Sequence, residues 1–299
     1  MENYILITPV KDEAKNFDLL KKTVLNQTLK PVLWVIVDSN SSDNSFELAK
    51  LLSKNNGFIH AIKQKKFFEE GYGHKNFAQA INEGYEYLKR VSDDNDIDYK
   101  YIGKIDAAVN LSKDYFKILI DKMKEDPRLA FACGVLHNIE NNKIIKCNPS
   151  KRFKLVCMQD IRAYRRNFFD NIGGYPLNYS PDAILSIKAL NREWDIKIVE
   201  DTYYEKLRIG GIGGSKIKIW KAYSLKGKAM YHLGYDFFYT LLNSLNILFK
   251  HSPHYHGFAL IYGYLMSFIN KDEKIDDEEI REYFGNRLTN NLKQILKPG

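Results

Sequence analysis

The sequence is poor in the features that mark several protein classes. Its three cysteines, Cys133, Cys147 and Cys157, are odd in number and form no C-x-x-C pair. That argues against a disulfide framework or a zinc ribbon, and for buried, reduced thiols in a cytoplasmic protein. No run reaches the roughly 18–20 apolar residues of a membrane-spanning helix. The opening MENYILITPVKDE lacks an extended apolar region and a cleavage site, so it reads as a first strand. Zinc-finger spacing, an RNP1-like aromatic box and an Arg-rich arm are all missing, which sets nucleic acid aside as a partner. His251, His254 and His256 surround Ser252-Pro253 at a spacing that is no helix-face metal motif, and read as surface or loop histidines.

What is present fits a folded enzyme-sized chain. With 44% hydrophobic and 27% charged residues, the composition excludes wholesale disorder. At 299 residues there is room for one large α/β core, or for a core and an appendage. The net charge of +8 points to an acidic partner, such as a phosphorylated nucleotide or anionic lipid headgroups.

Tyr4 to Val10, Val32 to Val37 and Phe58 to Ile62 are short apolar runs that predict buried strands. Phe17 to Gln27, Phe46 to Leu52 and Ala78 to Leu88 carry helical spacing between or after them. Tyr101 to Ile105 predicts a fourth strand. The alternation implies a parallel sheet with right-handed crossovers, which binds ligands beyond the carboxyl ends of its strands. Asp12, Glu13, Asp38 and Asp106 all follow such ends and are expected to converge on one crevice.

Four segments carry the chemistry. They are ITPVKDE with VDSNSSDNS, then GYGHKNFAQAINEGYEYL, then KIDAAVNLSKDYF, and DNIGGYPLNYSPDAILSIKAL. The second turn could be no more than a helix N-cap, since Ser and Asn accept from orphan N–H groups. The Gly-rich helix start could be an ordinary amphipathic helix, or its positive end could hold a pyrophosphate. Together, over about residues 3–235, these segments resemble family 2 inverting glycosyltransferases. The likeness is strongest at 5–45 and 162–200.

The resemblance implies a GT-A fold: a Rossmann-like, mixed, mostly parallel sheet flanked by helices. It implies transfer of a sugar from a nucleotide-diphosphate sugar to a glycan or polyprenyl-linked acceptor, in polysaccharide or glycan biosynthesis. Asp38 and Ser39 would face the base or ribose, with Thr8, Pro9 and Glu13 alongside. Lys75 and Asn76 would stand at the pyrophosphate, with Lys104 near Asp106. Gly173, Gly174 and Tyr175 would form the sugar and acceptor side, and Asp182 would be the base that takes the acceptor's proton. Asp106 matches the first acid of the family's metal-binding D-x-D, where Mg²⁺ or Mn²⁺ would bridge the diphosphate. The second acid is replaced by Ala108, and the segment YYEKLRIGG lacks the His that often supplies a further ligand. Lys104, Lys206 or Arg208 would then compensate, or activity has been lost.

Near Gly210 the composition changes, dividing a 1–209 catalytic region from a 210–299 basic, aromatic, mainly helical one. Between Lys206 and Lys250 there are eight Lys and Arg against one acid, Asp236. Trp220, Tyr223, Tyr231, Tyr235, Phe237 and Phe238 beside lysines would place residues 210–270 in a headgroup interface at the inner face of the membrane. Packing on the catalytic region, or a dimer contact, would use the same residues. Two other classes compete with the transferase. A non-catalytic binding protein on the same fold would explain Ala108. A nucleotidyltransferase would need a Gly/Arg/Lys-rich loop after the first strand, which VKDEAKN does not provide.

Overall fold

The computed structural model describes residues 2–68, 73–140, 143–146, 161–206, 216–250, 254–287 and 289. Cys147, Cys157, Arg208 and His251 lie outside them. The chain divides into two compact units, residues 1–209 and 210–299.

The first unit is built on a nine-stranded sheet. Parallel strands β1 (Tyr4–Val10), β2 (Leu33–Asp38), β3 (Ile59–Lys63) and β4 (Tyr101–Lys104) form one side, in the order β3-β2-β1-β4. The sheet then turns mixed. β8 (Arg162–Arg165) runs antiparallel to both β4 and β6 (Leu129–Glu140). β9 (Asp195–Lys206) pairs parallel to β6, while β5 (Val109–Leu111) and β7 (Lys143–Lys146) add antiparallel edges.

The continuous apolar runs are explained by two-sided burial. Tyr4 and Leu6 of β1 join one core with α1 (Phe17–Leu25), α2 (Ser45–Lys54) and α4 (Tyr115–Glu125). Ile5 and Ile7 face the opposite core with α3 (Gly73–Asp94), α5 (Arg166–Asn171) and α6 (Pro181–Asn191). A strand covered on both faces cannot alternate apolar with polar residues. Gly84 of α3 lies so close to β1 and β2 that a Cβ there would stand 2.9 Å from Ile7 and Val37. That close approach sets the helix firmly against the strands.

The second unit holds α7 (Lys216–His232), α8 (Phe237–Lys250), α9 (Tyr255–Ile269) and α10 (Glu278–Gly285). α7 and α9 meet backbone to backbone at Gly227 and Gly263, where a Cβ would fall 1.9 Å from a facing carbonyl oxygen. Tyr231, Met230, Ile247, Leu260 and Tyr264 form its core. His256 corrects the surface reading of the histidine cluster: it is buried, stacked on Tyr223 at 4.3 Å between ring centres. Tyr231 is likewise interior, and Tyr235 stacks on Phe284. Trp220, Phe237 and Phe238 are exposed as expected, and most of the other exposed apolar side chains of this unit lie on α8 and α9. Phe238, Leu242, Leu245 and Phe249 recur at helical spacing along α8, and Phe258, Tyr262, Leu265 and Ile269 along α9. Among the described residues no helix is long and apolar enough to cross a membrane.

Candidate active site

A cleft of about 400 Å³ opens where β1 and β4 end. Of the residues expected there, Pro9, Glu13, Ser39, Asn76 and Asp106 line it, joined by Lys11, Phe67, Phe77, Ala108 and Lys206. Thr8 does not line it. It is fully buried, and its Oγ1 accepts a 3.0 Å hydrogen bond from Trp34 Nε1. Lys75 does not line it either, and its Nζ lies 5.7 Å from the centre of the Phe68 ring. Asn76 also fixes the adjoining loop: its Oδ1 accepts from the Phe68 N–H at 2.6 Å.

The Ser/Asn-rich turn after β2 caps no helix through its Asn44 side chain. Its work is to lock onto the loop after β1. Asp12, in a left-handed conformation with φ 53°, accepts from the Ser42 N–H at 2.7 Å and the Ser42 hydroxyl at 2.9 Å. Asp43 accepts from the Ala14 N–H at 3.0 Å, and Ser45 Oγ from the Glu13 N–H at 2.8 Å. Asp12 is thus spoken for by the turn, and its pKa is held down by the Ser42 bonds. The expected convergence of four carboxylates reduces to Glu13 and Asp106 on the cleft wall, with Asp38 buried behind Ser39. Asp38 Oδ2 accepts from the Ser41 N–H at 3.3 Å, while its Oδ1 is buried with no hydrogen-bond partner among the described residues.

At the end of β4, Lys104 is only 2% exposed and its Nζ stands 3.5 Å from Asp106 Oδ1. The ammonium lies 4.9 Å from the Phe77 ring centre and 6.0 Å from that of Tyr175, a cation–π cradle that holds a charge with little water around it. Lys206, the last residue of β9, brings its Nζ to 4.0 Å from Asp106 Oδ2. A divalent ion here would need oxygen ligands. Asp106 instead has an ammonium 3.5 Å from Oδ1 and 4.0 Å from Oδ2, with Oδ1 buried and hydrogen-bonded to no described residue, and the position of the second acid carries the methyl of Ala108. No cluster of three His, Cys, Asp or Glu occurs among the described residues. The described residues around Asp106 do not fit a divalent ion.

Beyond Tyr175 lies the second carboxylate. Gly173 (φ 78°) and Gly174 (φ 90°) take positive φ, which glycine adopts without strain. Asn82 of α3 then clamps the backbone of Tyr175 from both sides. Its Oδ1 accepts from the Tyr175 N–H at 2.7 Å, and its Nδ2 donates to the Tyr175 carbonyl at 2.8 Å. The Tyr175 hydroxyl donates to Asp182 Oδ1 at 2.7 Å, and Arg162 Nη1 of β8 reaches the same oxygen at 3.3 Å. Arg162 is fully buried and Asp182 is 24% exposed. No described residue hydrogen-bonds Asp182 Oδ2.

Burial alone would raise the Asp182 pKa. Arg162, then Lys104, the Tyr175 hydroxyl and Lys206 outweigh it and hold the carboxyl below its ordinary value of 3.8. Burial and the neighbouring Asp182 push the Tyr175 phenol well up, so it remains a donor. Arg162 and Asn82 were not singled out in the sequence. Asn82 stands in the segment GYGHKNFAQAINEGYEYL, so a signal existed; Arg162 sits in RAYR, which has none.

The glycosyl transferase family 2 model matches residues 5–198. The chain belongs to that family, and it is a glycosyltransferase of the GT-A fold. Three solved structures are similar. A mannosyltransferase from Pyrobaculum calidifontis, in complex with GDP-Man and Mn²⁺, is 12% identical at a TM-score of 0.55, over 99% of this chain and 81% of that one. TarS 1–349 from S. aureus in complex with UDP-GlcNAc is 15% identical at 0.52, over 99% and 76%. TarS 1–349 alone is 14% identical at 0.50, over 90% and 73%. No curated protein matches the sequence.

Proposed function

We propose that the chain transfers a sugar from a nucleotide-diphosphate sugar to the hydroxyl of a glycan or lipid-linked glycan, with inversion at the anomeric carbon. The observation that carries this reading is the asymmetry of Asp182. Both of its described partners hold Oδ1, leaving Oδ2 to accept a proton. As the acceptor oxygen attacks the anomeric carbon, the bond from that carbon to the diphosphate oxygen breaks. The acceptor's proton passes to Asp182 Oδ2, and the nucleoside diphosphate leaves with the bonding pair. A carboxylate held at low pKa suffices, because the attacking hydroxyl becomes acidic as its oxygen bonds to the sugar. Arg162 and Tyr175 orient the carboxylate and do not touch the reacting atoms in this scheme.

The nucleoside would lie along Pro9, Glu13 and Ser39. A base N–H or ribose hydroxyl there would satisfy the buried acceptor Asp38 Oδ1. That TarS has been solved with UDP-GlcNAc, and the mannosyltransferase with GDP-Man, supports a nucleotide-sugar donor. A polyprenyl-linked acceptor would bring the chain to the inner face of a membrane. The exposed apolar faces of α8 and α9 suit a lipid surface, and the lysines of α7 suit anionic headgroups, at about 1 kcal/mol per nearby Lys.

The test is a screen of nucleotide sugars and glycan acceptors, with the product's anomeric configuration read by NMR. A product of inverted configuration is expected; retention would overturn the mechanism. If every donor bound and none turned over, the loss at Ala108 would favour a binding protein on the same fold. Flotation with anionic but not neutral vesicles, weakened by Phe238→Ser with Phe249→Ser, tests the membrane contact. Self-association without vesicle binding would replace it with a dimer face.

A further inference from the structure

We infer that Lys206, positioned by Asp106, supplies the positive charge that a divalent ion would otherwise bring to the donor's diphosphate. This rests on the nucleotide-sugar reading above and goes beyond it by assigning the cation.

The argument begins with what a metal would require. Asp106 is the one acid kept from the D-x-D pair, and both of its oxygens already face ammonium groups, at 3.5 and 4.0 Å. A dication placed against the same carboxylate would meet two like charges within a few ångströms. The second acid is Ala108, whose methyl lines the cleft. Residues 207–215 read LRIGGIGGS and contain no His, Cys, Asp or Glu, so the chain just after β9 offers no side chain to complete a metal site.

The two lysines are not equivalent. Lys104 is sunk beneath Phe77 and Tyr175 and does not line the cleft, so it works on Asp106 and Asp182 from below. Lys206 lines the cleft, and its side chain is 22% exposed. A lysine ammonium is a compact charge with three donors that can follow a phosphate as charge moves onto it. The leaving nucleoside diphosphate gains one negative charge when the glycosidic bond breaks. A fixed cation at its phosphates stabilises that state more than the ground state. Asp106 then serves as a positioning residue: it keeps the ammonium over the cleft and moderates its charge so that product can leave.

The experiment is calorimetric binding of UDP and GDP to the full chain, in EDTA and again with excess Mn²⁺ or Mg²⁺. One of the two nucleotides is expected to bind in EDTA, with affinity changed less than about threefold by metal. Lys206→Gln should weaken that binding by roughly tenfold or more, the scale of a lost charge-assisted hydrogen bond. Lys206→Arg should restore most of it, and the corresponding nucleoside monophosphate should be far less sensitive to Lys206→Gln. Binding that appears only with metal would overturn the proposal while leaving the donor class intact. Metal-free binding indifferent to Lys206→Gln would overturn the assignment to Lys206. If neither of these nor the adenine, cytosine and thymine nucleoside diphosphates bound under any condition, the nucleotide-sugar reading would fall, and this inference with it.

Discussion

Asp106 lines the cleft and Asp182 does not; Lys104 acts on both, each is flanked by buried or half-buried cations, and they are held in opposite ways. Asp182 receives both Arg162 and Tyr175 on Oδ1, which leaves Oδ2 without a described partner. Asp106 has a lysine beside each oxygen. In the proposed reaction the first arrangement orients a carboxylate and leaves it able to take a proton, and the second uses a carboxylate to position ammonium groups.

The sharpest way to break this comparison is Asp182→Asn. Loss of the base should lower kcat by about 10²–10⁴-fold while nucleotide affinity stays near the parent's, since general base catalysis is of that size. Paired kinetics and calorimetry check it, and a parallel loss of nucleotide binding would remove Asp182 from the proton-transfer role. The pH profile adds a sign. In the proposed mechanism the ionised form is the active one, and its pKa is held below 3.8, so this limb of kcat/KM should fall only as pH drops beneath that value. The same group contributes stability above its unfolded pKa, a contribution lost as pH falls through the lowered one.

Next in size is Arg162→Met, which leaves Asp182 without its buried partner. Removing one side of a buried ion pair costs about 3–5 kcal/mol, and the partial exposure of Asp182 puts this case at the low end. The denaturation midpoint should drop, and the acidic limb of the rate profile should move up in pH. A rate profile unmoved by the substitution would separate Arg162 from the carboxylate.

Asn82→Ala removes the two hydrogen bonds that fix Tyr175. A stability loss of roughly 1–3 kcal/mol is expected. A fall in kcat on the order of tenfold to a hundredfold should accompany it, as Tyr175 and then Asp182 drift from position. Unchanged kcat with lowered Tm would make the clamp purely structural.

Asp106→Asn should have the smallest effect and the least intuitive direction. With the counter-charge at Asp106 removed, the greater positive potential of the cleft should bind a nucleoside diphosphate as tightly as the parent or a few-fold more tightly, in EDTA. A metal ligand would show the reverse, a weakened and metal-restored affinity.

Sequence reading reached the parallel half of the sheet because its strands are covered on both faces. Continuous runs such as YILITPV can be little else. β6, β8 and β9 escaped it. β8 reads RAYR, with a buried arginine that pairs with the carboxylate of Asp182 and lies 4.8 Å from the centre of the Phe131 ring, and β9 reads DIKIVEDTYYEK with many exposed positions. Asp182 and the GGYP turn were legible as local motifs, and so were the substitution at Ala108 and the lysine-rich surroundings of Asp106.

What the sequence determined alone was the run of strand ends and the chemical kinds of residue that follow them. Both are set by neighbours within a few positions along the chain. Only the tertiary structure decided what each residue was for. Asp12 and Asp43 were turned to locking two loops, Thr8 to holding Trp34, and Asn82 to clamping a backbone 93 residues away. Arg162 was set against Asp182, and Lys206 against Asp106. Those pairings join residues from separate strands and helices, and a hydrogen bond or ion pair depends on distance in space, which sequence separation does not encode.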